Sequence, residues 1–112
     1  MAIGDNCTIY ASKEAGVVIG NNTLIAADGY NIDMNHGFEY GKSAKECKDS
    51  YEKIEIGENV WIGQNVTILM GSTLGKGCVV GAKSLVNKKF GDELVIAGVP
   101  AKILSEKKVK YE

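Results

Sequence analysis

The chain has 112 residues, 14 of them glycine and one proline, with 13 basic against 14 acidic side chains and a formal charge of −1. That length fits one domain, residues 1–112, and that charge balance supplies no field for gathering nucleic acid or an anionic membrane surface. No uncharged apolar run approaches the ~18 residues that a membrane-crossing helix needs, so the composition excludes membrane insertion by a helix.

The first residues, Met1-Ala2-Ile3-Gly4-Asp5, lack a basic segment followed by an apolar one, which predicts no secretion signal and a cytoplasmic location. They also open the first repeat unit: Ile3-Gly4-Asp5-Asn6-Cys7-Thr8, with Ile9 six positions after Ile3. The unit returns as Ile19-Gly20-Asn21-Asn22-Thr23-Leu24 with Ile25. At the next inward position the pattern slips, because Asn31 stands where an aliphatic residue is expected and Ile32 is displaced by one, which predicts a local bulge before His36. From about 37 to 53 the period is lost in a polar, charged segment that reads as a loop leaving the coil. Such loops on compact folds tend to be functional. The repeat then runs unbroken through Ile56, Ile62, Ile68, Leu74, Val80 and Val86, with Gly57, Gly63, Gly75 and Gly81 following four of them. Val60, Val66, Ser72, Cys78, Ser84 and Phe90 fill its fifth position. A short tail follows.

Six residues per unit fits neither the period of two of a strand nor the 3.6 of a helix. It fits short strands joined by corners, with the aliphatic residue pointing inward and the glycine at the corner, where positive φ is cheap. Three such units close a triangular coil, and coils stacked at roughly 4.8 Å pair their backbones above and below. The expected fold is all-β, a parallel β-helix. Cys7, Cys47 and Cys78 are odd in number and form no CxxC pair, so they read as reduced thiols rather than a disulfide framework or a zinc knuckle.

Ile54 to Leu104, together with Ile19 to His36 upstream, closely resembles the hexapeptide-repeat acyltransferases such as the maltose and galactoside O-acetyltransferases. The resemblance implies a left-handed coil, a homotrimer with sites between subunits, acetyl-coenzyme A as acyl donor and a small-molecule acceptor of the sugar type. It places His36, the only histidine, at the family's general base, a role that suits a side chain titrating near neutral pH. Asp33 and Glu39 are the carboxylates near enough in sequence to orient its second ring nitrogen, and a backbone carbonyl would serve equally. Trp61, at an outward position, matches a tryptophan beside the donor and acceptor site. Gly63 and Ala82 match residues lining the pantetheine arm through backbone contacts. Asn87 and Lys88 fall on a threonine-lysine pair, and Lys102 on an arginine, near the nucleotide; lysine lacks the bidentate fork of arginine.

The family's acceptor-contacting aspartate and asparagine have no convincing match, Asn6 being only a loose candidate, so sugar specificity does not carry over. A carbonic anhydrase of the same fold needs three histidine zinc ligands, which one histidine cannot supply. Full-length sugar acetyltransferases carry a further N-terminal segment ahead of the position that matches Ile3. That difference motivates the rival reading, a non-catalytic hexapeptide-repeat scaffold or truncated pseudoenzyme.

Overall fold

The structure, a computed structural model, describes residues 1–107. Its strands are two to six residues long and wind a three-sided prism. The first coil contains β1 (Ala2–Ile3), β2 (Thr8–Tyr10) and β3 (Val17–Ile19). The second has β4 (Leu24–Ile25) and β5 (Tyr30–Ile32), leaves the prism through β6 (Met34–Asn35) and β7 (Ser50–Tyr51), and returns at β8 (Ile54–Ile56). The third is β9 (Trp61–Ile62), β10 (Thr67–Ile68) and β11 (Thr73–Leu74), and the fourth β12 (Val79–Val80), β13 (Leu85–Val86) and β14 (Lys89–Phe90). Parallel ladders join these strands, with β15 (Leu94–Gly98) after them, into three faces: β1-β4-β9-β12-β15, β2-β5-β10-β13 and β3-β8-β11-β14. The coil is left-handed, as the resemblance implies. At the C-terminal end β15 (Leu94–Gly98) turns back into antiparallel β16 (Ala101–Glu106), so the expected tail is a hairpin that closes the first face; its last residues, 108–112, lie outside the described residues.

The hexads form the core. Ile56, Ile62, Ile68, Leu74, Val80 and Val86 are all at most 2% exposed, and their stacked columns remove apolar surface from water at roughly 25 cal/mol per Å². The fifth positions of that run are buried too, as is Thr23 upstream, while Cys7 in the first coil is only partly buried; where these positions are polar they are satisfied by the backbone of the stack. Ser72 Oγ donates to the Val86 carbonyl, Cys78 Sγ to that of Gly91, and Thr23 Oγ1 to that of Gly57. All three cysteines are free.

The corner chemistry differs from expectation. Positive φ falls on the fourth position of the hexad, at Asn6, Asn22, Asp28, Asn59, Asn65 and Lys83, with φ between 56° and 63°. Asn and Asp tolerate this left-handed conformation better than most side chains. The glycine of the second position serves close approach instead: a Cβ on Gly20 would stand 2.5 Å from the backbone of Gly57 and Glu58 in the next coil, and one on Gly63 would stand 2.8 Å from the Ala82 nitrogen.

The expected bulge at Asn31 is absent. Asn31 pairs in unbroken register with Ile9 on one side and Ile68 on the other, and it is 2% exposed. Its side chain therefore occupies the aliphatic column itself, with Oδ1 unpartnered. Among the described residues no helix is long and apolar enough to cross a membrane.

Candidate active site

The excursion begins where the second coil should turn from the second face to the third. β6 and β7 pair antiparallel, Met34 opposite Tyr51 and Asn35 opposite Ser50, and form a two-stranded ribbon off that edge of the prism. Continuing the register sets His36 opposite Asp49. There His36 Nδ1 lies 3.0 Å from Asp49 Oδ1. The imidazole is 73% exposed, and it opens on a shallow cavity of about 460 Å³ lined by Ala44, Lys45, Cys47 and Asp49. A 3₁₀ turn at Ala44–Glu46 folds the loop over this cavity, and the buried Cys47 donates its thiol hydrogen to the Ser43 carbonyl.

Neither carboxylate expected to orient the ring does so. Glu39 instead pairs with Lys42 at 2.9 Å further along the loop. Asp33, inaccessible to solvent, faces the opposite way, into the corner of the first coil. Its Oδ2 accepts from the Ser12 amide and hydroxyl, both at 2.8 Å, and from the Gly16 amide at 2.6 Å. Burial opposes its charge, but these bonds prevail and hold the carboxyl below its ordinary value of 3.8. Asp33 is a brace between the first two coils.

A group whose folded pKa is depressed stabilises the fold above its unfolded pKa and loses that contribution as pH falls through the folded value. Asp33→Asn is therefore expected to lower stability at pH 7 by about 2 kcal/mol, the scale of hydrogen bonds to a charged group. The gap to the unaltered protein should close as pH falls below the ordinary carboxylate range. Urea denaturation at neutral and strongly acidic pH measures both gaps.

The remaining expected site residues sit elsewhere. Trp61, 57% exposed on β9, belongs to the first face, between Leu24 and Val79. In a three-sided prism that face lies opposite the edge that carries the ribbon, so one chain does not bring Trp61 and His36 together. Gly63 and Ala82 stack on the corner between the first and second faces, where coil packing alone accounts for the glycine. Asn87 and Lys88 are exposed at the fourth coil's turn into the third face, the ammonium of Lys88 lying 5.3 Å from the centre of the Phe90 ring. Lys102 is exposed on β16, paired with Ala97.

Asp49 carries no signal of its own in the sequence. It lies 13 residues from His36 across a segment without period, and only the register of the ribbon, read backwards from Tyr51, would have found it.

Comparison with known proteins agrees with this fold. The family model described as bacterial transferase hexapeptide (six repeats) matches residues 53–88, and that of the hexapeptide repeat of succinyl-transferase matches residues 1–28; together they span more than half of the chain. No curated protein sequence gives a match. Among solved structures, a hexapeptide-repeat-containing acetyltransferase from Vibrio cholerae O1 biovar eltor, complexed with acetyl coenzyme A, is 32% identical with a TM-score of 0.80, aligning over 96% of this chain and 60% of its own. Galactoside acetyltransferase in complex with coenzyme A is 34% identical with a TM-score of 0.77, over 93% of this chain and 54% of its own. A polySia-specific acetyltransferase is 29% identical with a TM-score of 0.82, over 98% of this chain and 47% of its own. The chain thus spans between about half and three-fifths of the length of these relatives.

Proposed function

The chain belongs to the bacterial transferase hexapeptide-repeat family, and from that premise we propose that it is a coenzyme A-dependent acyltransferase with His36 as general base, acetyl as the acyl group and a sugar or glycan hydroxyl as the acceptor. The observation that carries the reading is the exposed imidazole held through Nδ1 by Asp49. Carboxylate acceptance at Nδ1 fixes the proton there and leaves the Nε2 lone pair free toward solvent.

The chemistry follows from that tautomer. Nε2 takes the proton of the acceptor hydroxyl as its oxygen attacks the thioester carbonyl. The carbon–oxygen bond forms, the carbon–sulfur bond breaks as the tetrahedral intermediate collapses, and the imidazolium returns the proton to the departing thiolate. The exposed amines of Lys88 and Lys102 suit the phosphates of the coenzyme, each as a point charge, and the small residues Gly63 and Ala82 give its arm a close approach.

Because Trp61 and His36 lie on opposite sides of one prism, the complete site belongs to a homotrimer in which Trp61 of a second copy walls the cavity of the first. The exposed apolar side chains Leu24 and Trp61 side by side on the first face support such an assembly. The compartment proposed is the cytoplasm, where acyl-coenzyme A is made.

Thiol release from acetyl-coenzyme A with a panel of sugars tests the function, and absence of coenzyme binding at millimolar concentration would favour a scaffold. Asp49 is a positioning residue on this reading. Asp49→Asn should forfeit part of the roughly 10²–10⁴-fold that a positioned base contributes, by lowering kcat while the KM for acetyl-coenzyme A stays put. A merely structural role would move both together with the melting temperature.

A further inference from the structure

The excursion carries two glycines, and they serve different ends. Gly41 has a φ of +81° and open space where a Cβ would stand, so glycine is needed there for the turn alone. Gly37, next to the imidazole, has no positive φ, and what it lacks is room for a side chain. A Cβ on it would stand 2.7 Å from Cys47 Cβ and would also strike the carbonyl of Lys48, the residue that faces Gly37 when the register of Met34 with Tyr51 and Asn35 with Ser50 is continued.

The limb that carries Cys47 is fixed. Its side chain is buried, its thiol donates to the Ser43 carbonyl, and its amide closes the 3₁₀ turn of Ala44–Glu46 by donating to the Ala44 carbonyl at 3.3 Å. The limb that carries His36 is freer. After the buried Met34, the side chains of Asn35, His36, Phe38, Glu39 and Tyr40 all stand in solvent. Crowding between the limbs is therefore relieved on the side of the imidazole. An ordinary separation of about 3.5 Å between carbons asks the limbs to part by roughly 0.8 Å at Gly37, immediately beside the 3.0 Å contact of His36 Nδ1 with Asp49 Oδ1. A hydrogen bond lengthened by that much is lost.

Resting on the acyltransferase reading above, we infer that Gly37 is a positioning residue for the reaction: its missing side chain lets the two limbs close until Asp49 holds the imidazole of His36. The proton then stays on Nδ1, and the Nε2 lone pair faces the acceptor. Gly37 acts through His36, by the space it leaves empty. The prism has no stake in this contact, since no residue from 35 to 53 belongs to its core cluster.

Nitrogen NMR of the imidazole, on the isotope-labelled full chain, reads the tautomer without requiring turnover. The unaltered protein should hold the proton on Nδ1, and Gly37→Ala should mix in the form protonated on Nε2. In the same variant kcat for thiol release should fall by up to roughly 10²-fold, the cost of a misplacement near 1 Å, with the KM for acetyl-coenzyme A and the melting temperature unmoved. Gly41→Ala strains the same loop without crowding the limbs, and should change neither tautomer nor kcat. Combining Gly37→Ala with Asp49→Asn should not multiply the losses, because both act on one hydrogen bond. An unshifted tautomer in Gly37→Ala, an equal effect of Gly41→Ala, or losses that multiply overturns the inference. A tautomer that shifts as described in a protein that releases no thiol, with or without the substitution, would sink the acyltransferase and leave the positioning role. A kcat that falls with the tautomer intact would do the reverse.

Discussion

Replacing His36 with alanine is expected to lower kcat for acetyl transfer by roughly 10²–10⁴-fold, the range of a positioned general base, while the affinity for acetyl-coenzyme A changes little. The separation follows from where the ring sits. At 73% exposure on the ribbon it stands outside the core, and its hydrogen bond to Asp49 is made at the surface. The fold therefore has little to lose from the substitution, and a rate loss cannot be ascribed to unfolding. A steady-state assay of thiol release beside calorimetry of coenzyme binding gives both numbers. Loss of binding in step with rate would reassign His36 to holding the donor.

The largest effect on stability is expected inside the prism. Leu74 is 1% exposed and stacks in the third face between Ile56 and Phe90. Truncation to alanine removes its transfer energy and leaves a cavity that the coils above and below cannot collapse into, because their backbones are fixed at the inter-strand spacing. A cost of about 3 kcal/mol follows, a large part of the total stability of a domain this size. Coils in a stack depend on their neighbours, so the loss should appear as one cooperative shift of the urea midpoint. A loss below about 1 kcal/mol would mean that the column is looser than its burial indicates.

The scaffold was legible because it is written periodically. An aliphatic residue every six positions leaves one solution, and each residue of the run from Ile56 to Val86 went where its period sent it. Trp61, placed outward by the same count, is outward. What the period did not carry was which feature does what at a corner. Glycine and asparagine both accept left-handed backbone, and only stacked coils reveal that the second-position glycine makes room for the neighbouring coil while the asparagine turns. Asn31 misled for a related reason. A polar residue in an aliphatic column suggests a slipped register, whereas the ladders on both sides held the register and buried the amide. The site was legible only in part. His36 is unique in the sequence, but its partner is set by an antiparallel ribbon in a segment with no period, and Asp33, closer along the chain, is drawn away by the amides of Ser12 and Gly16.

The most direct measurement is a crystal structure of the chain grown with coenzyme A. The coenzyme is expected to lie along the prism between two copies, its sulfur within about 4 Å of His36 Nε2, as proton transfer to a thiolate demands, with Trp61 of the second copy against it. A coenzyme bound away from the ribbon, or a His36 cavity with no second copy beside it, would contradict the account.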